Sequence, residues 1–264
     1  TTNVATGDDG FQLEAETTAV VNAFVTNNSF SVHGGDHMNV SLINNADVDF
    51  TFTGNSFAGG HAVGLGQGLF ILGANFNGSF TYDISNNGTA AVPLVGNKQG
   101  GMIHVNKGSG TGTFNGRIQN NFIGNAAIVK SGSEQAFGIY ASARGAGGAH
   151  NTLISNNTVR QYFDTGIVTE AGEGAAALNA TVTNNTVSNF ADAVNSLHGI
   201  FASYGILGTD TNAVCIDMQD NLVANAGNEP AGGADIRLRK GNQAGMSVRI
   251  PGLVGTDAAA ADAK

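Results

Sequence analysis

An asparagine recurs along the chain within one fixed pattern of neighbours. In LNATVTNNTV, from Leu178 to Val187, one apolar residue stands three places before Asn185 and another stands two places after it. Seven asparagines have the apolar residue three places before them, and six of the seven have the one two places after: Asn28, Asn55, Asn87, Asn121, Asn157, Asn185 and Asn221. Asparagine tolerates the left-handed backbone conformation better than other residues except glycine. Each of the seven therefore predicts a corner between two short strands.

The distances between these corner residues indicate a repeat architecture. By subtraction, successive corner asparagines lie 27 to 36 residues apart, which is within the range of known repeat folds. A second motif, a glycine that precedes a short apolar strand, follows most corners, at Gly68, Gly101, Gly138, Gly166 and Gly199. Before the corners, apolar and polar residues alternate, as they do from Val48 to Phe52, which is typical of a strand with one buried face. We therefore expect each repeat to be a coil of at least three short strands.

These motifs resemble the parallel β-helix repeats of the pectin-lyase-like superfamily. The likeness lies in the corners Ile154 to Val159 and Val182 to Val187 and in the Gly-Ile strands at Gly166 and Gly199, and it extends from roughly Leu13 to Ile250. The resemblance implies an all-β, right-handed, single-stranded parallel β-helix (a β-solenoid) of about seven to eight coils, with the seven asparagines stacked in an internal ladder. Members of this superfamily include polysaccharide lyases, hydrolases and epimerases, phage tail spikes and bacterial adhesins. The fold alone does not choose among these functions.

Composition favours a single β-helix domain over residues 1–264, with irregular ends at 1–12 and 251–264. The chain has 264 residues and 41% hydrophobic residues, enough for a large core, and we interpret it as a piece of a longer protein. Only 12% of the residues are charged and the net charge is −9, which argues against binding of nucleic acid or anionic polysaccharides. No apolar run is long enough to span a membrane.

The sequence predicts no cofactor and no metal site. The group from His33 to His37 holds two histidines and an aspartate, but its Gly-Gly pair favours a loop between coils. Asp8-Asp9-Gly10 lacks the other ligands of a calcium loop and predicts a turn. Cys215, the single cysteine, lies between two apolar residues, so we expect a buried thiol without a disulfide.

The Gly-Ile strands predict an apolar stripe on the outside of the solenoid. If Leu69, Met102, Ile139, Ile167 and Ile200 point inwards, strand alternation turns the following residue of each strand outwards. These outward residues would form a stripe about 20 Å tall, made of Phe70, Ile103, Tyr140, Val168 and Phe201. Such a stripe is either a contact surface or a surface covered by the segments that follow each strand, such as Ala171 to Ala177.

No residue is predicted to be catalytic. Glu170 and Glu173 form the closest acidic pair in the middle of the chain, but a strand end followed by a Gly/Ala loop favours a solvated turn. Arg144, His150 and Arg160 are candidate charged groups only because they are near one another in sequence. Asp83 and Arg117 each stand four places before a corner asparagine, so they should form an ordinary ion pair between neighbouring strands.

These observations predict a non-enzymatic structural, adhesive or self-assembling module of an extracellular or cell-surface bacterial protein. We expect self-association or binding to other surface proteins, with carbohydrate as a further candidate partner. A polysaccharide-active enzyme (a lyase, hydrolase or epimerase) on the same fold is the alternative.

Overall fold

The protein is a parallel β-solenoid. A computed structural model describes residues 9–31, 33–57, 66–189, 196–226, 233–241 and 246–249. These residues form 22 β-strands and no helix. Every strand pair among them is parallel and joins equivalent strands of neighbouring coils. The predicted parallel β-helix with an asparagine ladder is therefore confirmed.

Two long sheets and a set of short corner strands make up the coils. Sheet A contains the first strand of each coil: β1 (Phe11–Ala15), β4 (Met38–Asn44), β7 (Leu69–Phe76), β9 (Gly101–Lys107), β12 (Phe137–Gly145), β15 (Thr165–Gly174), β18 (His198–Tyr204) and β21 (Ala234–Lys240). Sheet B contains the second: β2 (Val20–Thr26), β5 (Asp47–Thr53), β8 (Ser79–Ser85), β10 (Thr113–Gln119), β13 (Ala149–Ser155), β16 (Ala177–Thr183), β19 (Val214–Gln219) and β22 (Met246–Arg249). The corner strands are β3 (Ser29–Phe30), β6 (Ser56–Phe57), β11 (Phe122–Ile123), β14 (Thr158–Arg160), β17 (Thr186–Ser188) and β20 (Leu222–Ala224).

The structure describes part of the first end that was predicted to be irregular and none of the second. β1 begins at Phe11, so the regular coils start two residues inside the range 1–12. The other end, 251–264, lies outside the described residues.

Alternating strands direct apolar side chains into one continuous core. In sheet B, Val48, Phe50 and Phe52 point inwards and are at most 3% exposed, while the residues between them face solvent. The ring of Phe50 stacks on that of Phe80 in the next coil, with 6.3 Å between the centroids. The register of β5 and β8 pairs Val48 with Phe80 and Phe50 with Tyr82, so each inward row continues from coil to coil. The core therefore runs the length of the solenoid.

The corner asparagines form an internal ladder. Oδ1 of Asn55 accepts hydrogen bonds from the main-chain N–H of Asn28 at 2.9 Å and from its side-chain Nδ2 at 3.2 Å. Nδ2 of Asn55 donates to the carbonyl oxygen of Val25 at 2.8 Å. These bonds repeat up to Asn221. The five asparagines between the first and last are at most 1% exposed: Asn55, Asn87, Asn121, Asn157 and Asn185.

The left-handed residue at each corner lies one place before the ladder asparagine. Our sequence interpretation assigned the left-handed conformation to the ladder asparagines themselves, and this was wrong. At the seven corners, the residues that have a positive φ, between 54° and 70°, are Asn27, Gly54, Asn86, Asn120, Asn156, Asn184 and Asp220. These side chains are free to face solvent, whereas the next side chain must turn inwards to join the ladder. The two positions of the Asn-Asn pairs therefore have different roles.

One coil departs from the corner pattern, and a residue from its loop fills the core position instead. Thr89 occupies the position that is apolar in the other coils, and it is exposed. Leu94 replaces it: its side chain is fully buried, and its backbone bridges to Ile123 in the next coil. The longer loop after Asn87 thus supplies the missing core residue.

A hydrogen-bonded group lies inside the solenoid. The Tyr82 hydroxyl is 2.8 Å from Nε2 of His150 and 2.7 Å from Oγ1 of Thr152. Nδ1 of His150 is 2.8 Å from the carbonyl oxygen of Ser142, which can only accept, so Nδ1 carries the proton. Gly116, in the intervening coil, leaves room for the Tyr82 ring, because a Cβ there would lie 2.4 Å from the ring. Burial lowers the pKa of His150 to about 4, so this residue is neutral.

Candidate functional site on the outer face of sheet A

Strand register aligns aromatic and apolar side chains on the outer face of sheet A. We call these residues the sheet A row: Phe70, His104, Tyr140, Val168 and Phe201. The rings make edge or tilted contacts, with centroids 4.9 Å apart for Phe70 and His104 and 4.5 Å apart for His104 and Tyr140. Tyr140 and Val168 are buried, whereas Phe70 and Phe201 are half-buried. The row therefore has solvent-facing apolar surface at both ends.

The predicted stripe was wrong at one member, Ile103, which points inwards. Ile103 pairs with Leu69 and Ile139 in the inward row and is 1% exposed. The reason is that Met102 occupies the position that glycine has in the neighbouring strands. A Cβ added to Gly68, at the equivalent position of the previous coil, would lie 2.8 Å from the Sδ of Met102. The Gly-apolar motif of β9 is thus displaced by one residue, and alternation turns His104 outwards.

Four side chains from two neighbouring coils meet beside this row. We call Tyr140, Arg144, Glu170 and Glu173 the charged cluster. Oε1 of Glu170 accepts the Tyr140 hydroxyl at 2.6 Å and Nη2 of Arg144 at 2.5 Å. Nη1 of Arg144 donates to Oε1 of Glu173 at 2.8 Å. Burial, followed by the charge of Glu170, raises the pKa of Tyr140, so its hydroxyl remains a donor.

A β-bulge places Glu173 in the charged cluster. The register of β12 and β15 shifts after Arg144, since Arg144 pairs with Gly172 and Gly145 pairs with Gly174. Glu173 is the extra residue and has a left-handed backbone with φ 54°. Such a bulge redirects a side chain from its regular position. The prediction that Glu170 and Glu173 lie in a solvated turn was therefore wrong, because both are on β15 and both contact Arg144.

His104 lies next to the charged cluster. One of its ring nitrogens is hydrogen-bonded and the other is buried. Oε1 of Gln67 accepts the main-chain N–H of Gly101 at 3.2 Å and lies 2.8 Å from Nδ1 of His104, so Nδ1 carries the proton. Nε2 is buried and has no hydrogen-bond partner among the described residues. Burial, assisted by the charge of Arg144, lowers the pKa of His104 to about 3, so the ring is neutral.

A small cavity adjoins the charged cluster at the end of the strands. Its volume is about 190 Å³, and it is lined by Asn106, Gly108, Ser109, Arg144, Gly145 and Glu173. Ser142 donates to Oδ1 of Asn106 at 2.7 Å on the adjacent row. The cavity thus offers amide, hydroxyl and guanidinium groups, which can hold a polar ligand by hydrogen bonds.

The outer face of sheet B carries a second ladder, which the sequence pattern did not reveal. Nδ2 of Asn179 donates to Oδ1 of Asn151 at 2.7 Å, and Nδ2 of Asn151 donates to Oδ1 of Asn115 at 2.6 Å. These amides line a shallow groove of about 540 Å³ together with Leu153 and Cys215. Three asparagines at equal offsets from their corners were the available signal.

Two further predictions concern this face. Nη2 of Arg117 lies 2.6 Å from Oδ2 of Asp83, so the predicted ion pair is confirmed. The prediction of a buried thiol was wrong, because Cys215 is exposed. Val214 and Ile216 point into the core, and alternation turns the residue between them outwards.

The remaining candidate residues do not converge on one site. His150 is in the core, and Arg160 lies on β14 with its guanidinium 5.0 Å from the Phe122 ring centroid, so Arg144 alone joins the charged cluster. The rings of His33 and His37 are 5.4 Å apart, and within the described ranges no three His, Cys, Asp or Glu side chains are grouped as metal ligands.

Comparisons with known proteins add no family. No protein-family model, curated protein or solved structure matches this chain. Within the part of the chain that the structure describes, no helix is long and apolar enough to cross a membrane.

Proposed function

We propose that this chain is a non-enzymatic β-solenoid module of an extracellular or cell-surface protein, with a structural, adhesive or self-assembling role. The proposal is supported by the pairing within the charged cluster. Glu170 accepts from both Tyr140 and Arg144, and Arg144 also binds Glu173. Acids and bases that satisfy one another stabilise a surface, whereas catalysis requires a group that is poised to exchange a proton with a substrate.

The state of His104 supports the same proposal. A histidine with an unprotonated Nε2 is a natural general base. Here Nε2 is inaccessible to solvent, and the ring lies against those of Phe70 and Tyr140. A substrate would have to displace these rings before it reached the nitrogen.

The extracellular or cell-surface location and the membership of the pectin-lyase-like superfamily are parts of this proposal. Their support is the resemblance of the Asn corners and Gly-Ile strands to repeats in large bacterial secreted and surface proteins. The net charge of −9 argues against nucleic acid as a partner. Self-association and contact with other surface proteins are the proposed uses of the exposed faces, and carbohydrate is a candidate ligand of the cavity beside Arg144.

A polysaccharide-active enzyme is the second candidate function, and one observation favours it. The charged cluster draws Tyr140 and Arg144 from one coil and Glu170 and Glu173 from the next, beside a cavity. Convergence from adjacent coils is the arrangement that catalysis on a solenoid surface requires.

One assay separates the two functions. The purified chain is incubated with a panel of neutral and acidic polysaccharides, and new reducing ends, unsaturated products and changes in sugar configuration are measured. We expect no product. The enzyme would be established if the wild type formed product and Glu170→Gln did not. The control is Asp83→Asn, which should still form product because Asp83 belongs to the ion pair on the other sheet.

A further inference from the structure

The two ends of sheet A leave core positions open to solvent. β1 and β21 are the outermost strands of this sheet. Phe11 and Ile236 occupy the same inward row as Leu69 and Ile200, which are fully buried. Phe11 is nevertheless 47% exposed and Ile236 is 44% exposed, because within the described residues each lacks a neighbouring strand on one side. Each end therefore presents a large apolar side chain together with a strand edge that can pair.

The register of the sheet defines how these ends would fit together. Following the pairs from strand to strand, the row that starts at Phe11 ends at Ile236, and the row that starts at Leu13 ends at Leu238. A further strand in this register, placed on β21, would therefore have apolar residues in the inward rows. β1 itself meets that requirement.

The outward rows add charge complementarity. Glu14 begins the outward row that ends at Arg239, and both side chains are exposed. The first coil contains Asp9, Glu14 and Glu16 and has no lysine or arginine between residues 9 and 31. At the other end, β21 carries three basic residues and one acid: Arg237, Arg239, Lys240 and Asp235.

This charge distribution favours pairing of one end of the solenoid with the opposite end of another copy. Charged residues on an edge strand usually prevent it from pairing with another edge. Here two acidic ends repel, two basic ends repel, and an acidic end attracts a basic end. The ion pair between Arg117 and Asp83 shows the required contact within the molecule, since these residues face each other on adjacent parallel strands at 2.6 Å.

We propose that these ends form an interface for a second copy of this chain, with β1 of one copy docking on β21 of the next in the register of sheet A. Glu14 of one copy then lies beside Arg239 of the other, and Phe11 covers Ile236. The inference rests on the self-assembling role proposed above. Each added copy lengthens the particle by eight strand spacings, roughly 40 Å.

The test is sedimentation velocity with small-angle X-ray scattering on the full chain over a range of concentrations and salt. We expect rods that grow with concentration and shorten as salt screens the contact. Glu14→Arg or Arg239→Glu alone should raise the concentration at half-assembly by about ten-fold or more. An equimolar mixture of the two variants should recover assembly, because the changed ends complement each other. Recovery also demonstrates that both variants are folded.

Asp49→Arg is the matched control, since it makes the same change of charge at an exposed position of sheet B that is not on an outermost strand. Its assembly should equal that of the wild type. Two results would overturn the interface. One is a wild type that stays monomeric at every concentration, and the other is oligomers that neither Glu14→Arg nor Arg239→Glu affects. Such a result leaves the non-enzymatic role standing if the polysaccharide panel shows no product, so the two proposals fail separately.

Discussion

Asn157 donates both its main-chain N–H and its side-chain Nδ2 to a single oxygen, Oδ1 of Asn185, at 3.0 Å each. The other Nδ2 hydrogen bond goes to the carbonyl oxygen of Ile118 in the preceding coil at 2.9 Å. One amide therefore connects three successive coils. Hydrogen bonds of this kind are costly to lose because the partners are buried away from water.

Replacing Asn157 by alanine should lower the free energy of unfolding by about 1 to 3 kcal/mol, because buried backbone groups lose their partners. The matched control is Asn156→Gly at the neighbouring left-handed position, which has φ 55° and an exposed side chain. Glycine adopts this conformation without strain, so the control should remain close to wild type. Denaturant unfolding of both variants is the measurement, and equal stability would exclude a stabilising ladder.

Gly166→Ala should destabilise the protein by about 1 to 3 kcal/mol through overpacking. A Cβ at Gly166 would lie 2.4 Å from Cγ1 of Val187 and 2.7 Å from the carbonyl oxygen of Gly199. The control is Gly147→Ala, where the nearest atom to the new Cβ is Cγ2 of Thr111 at 3.8 Å. Thermal melts should separate the two variants. If both melt like the wild type, the Gly-Ile strands do not need glycine for close packing.

Acid should weaken the wild type through His150. Its pKa is about 4 in the folded state, below the ordinary value of 6.5. Between these values the unfolded chain binds a proton that the folded chain does not, so stability is complete above pH 6.5 and falls as pH decreases towards 4. We expect His150→Gln to remove about 2 kcal/mol of the stability difference between pH 7 and pH 4.5. Unfolding curves at both pH values measure this, and identical pH dependence in the two proteins would contradict it.

Asp36 should act in the opposite direction. Burial raises its pKa to about 6, with a further contribution from the nearby Asp9, although hydrogen bonds from Gln67 and Asn39 favour the charged form. The folded state therefore binds the proton more tightly, and this stabilisation is complete below pH 3.8 and lost as pH rises through 6. Asp36→Asn should remove this loss, so that the rise of stability between pH 4 and 6 that His150 causes becomes steeper than in the wild type. A profile as steep as that of the wild type would show that Asp36 titrates normally.

Sequence periodicity predicted the solenoid because each coil imposes the same local demands. The corner asparagines and the inward rows from Val48 to Phe52 repeat at each coil and need no knowledge of distant contacts. The exceptions arise where one coil satisfies the demand differently. Met102 replaces a glycine and displaces the motif by one residue, and Leu94 fills the place left by Thr89.

The charged cluster could not be found in this way. Tyr140 and Arg144 are four residues apart on one strand, and they meet Glu170 only through the register of β12 with β15. Glu173 joins through a bulge, for which the sequence contains no repeated signal. Sites on a solenoid depend on how unlike residues of different coils align, and a repeat pattern describes only what the coils share.

The separation of rows from corners also determines which changes in length the molecule tolerates. Losing one residue inside a strand such as β16 would turn every following side chain of that strand to the opposite face. Extra residues at a corner leave the rows unchanged, as the loop between Asn87 and Leu94 demonstrates. Duplication of a complete coil would preserve every row and both ends. Such a gene can therefore lengthen in whole coils or at its corners, while the strands themselves keep a fixed residue count.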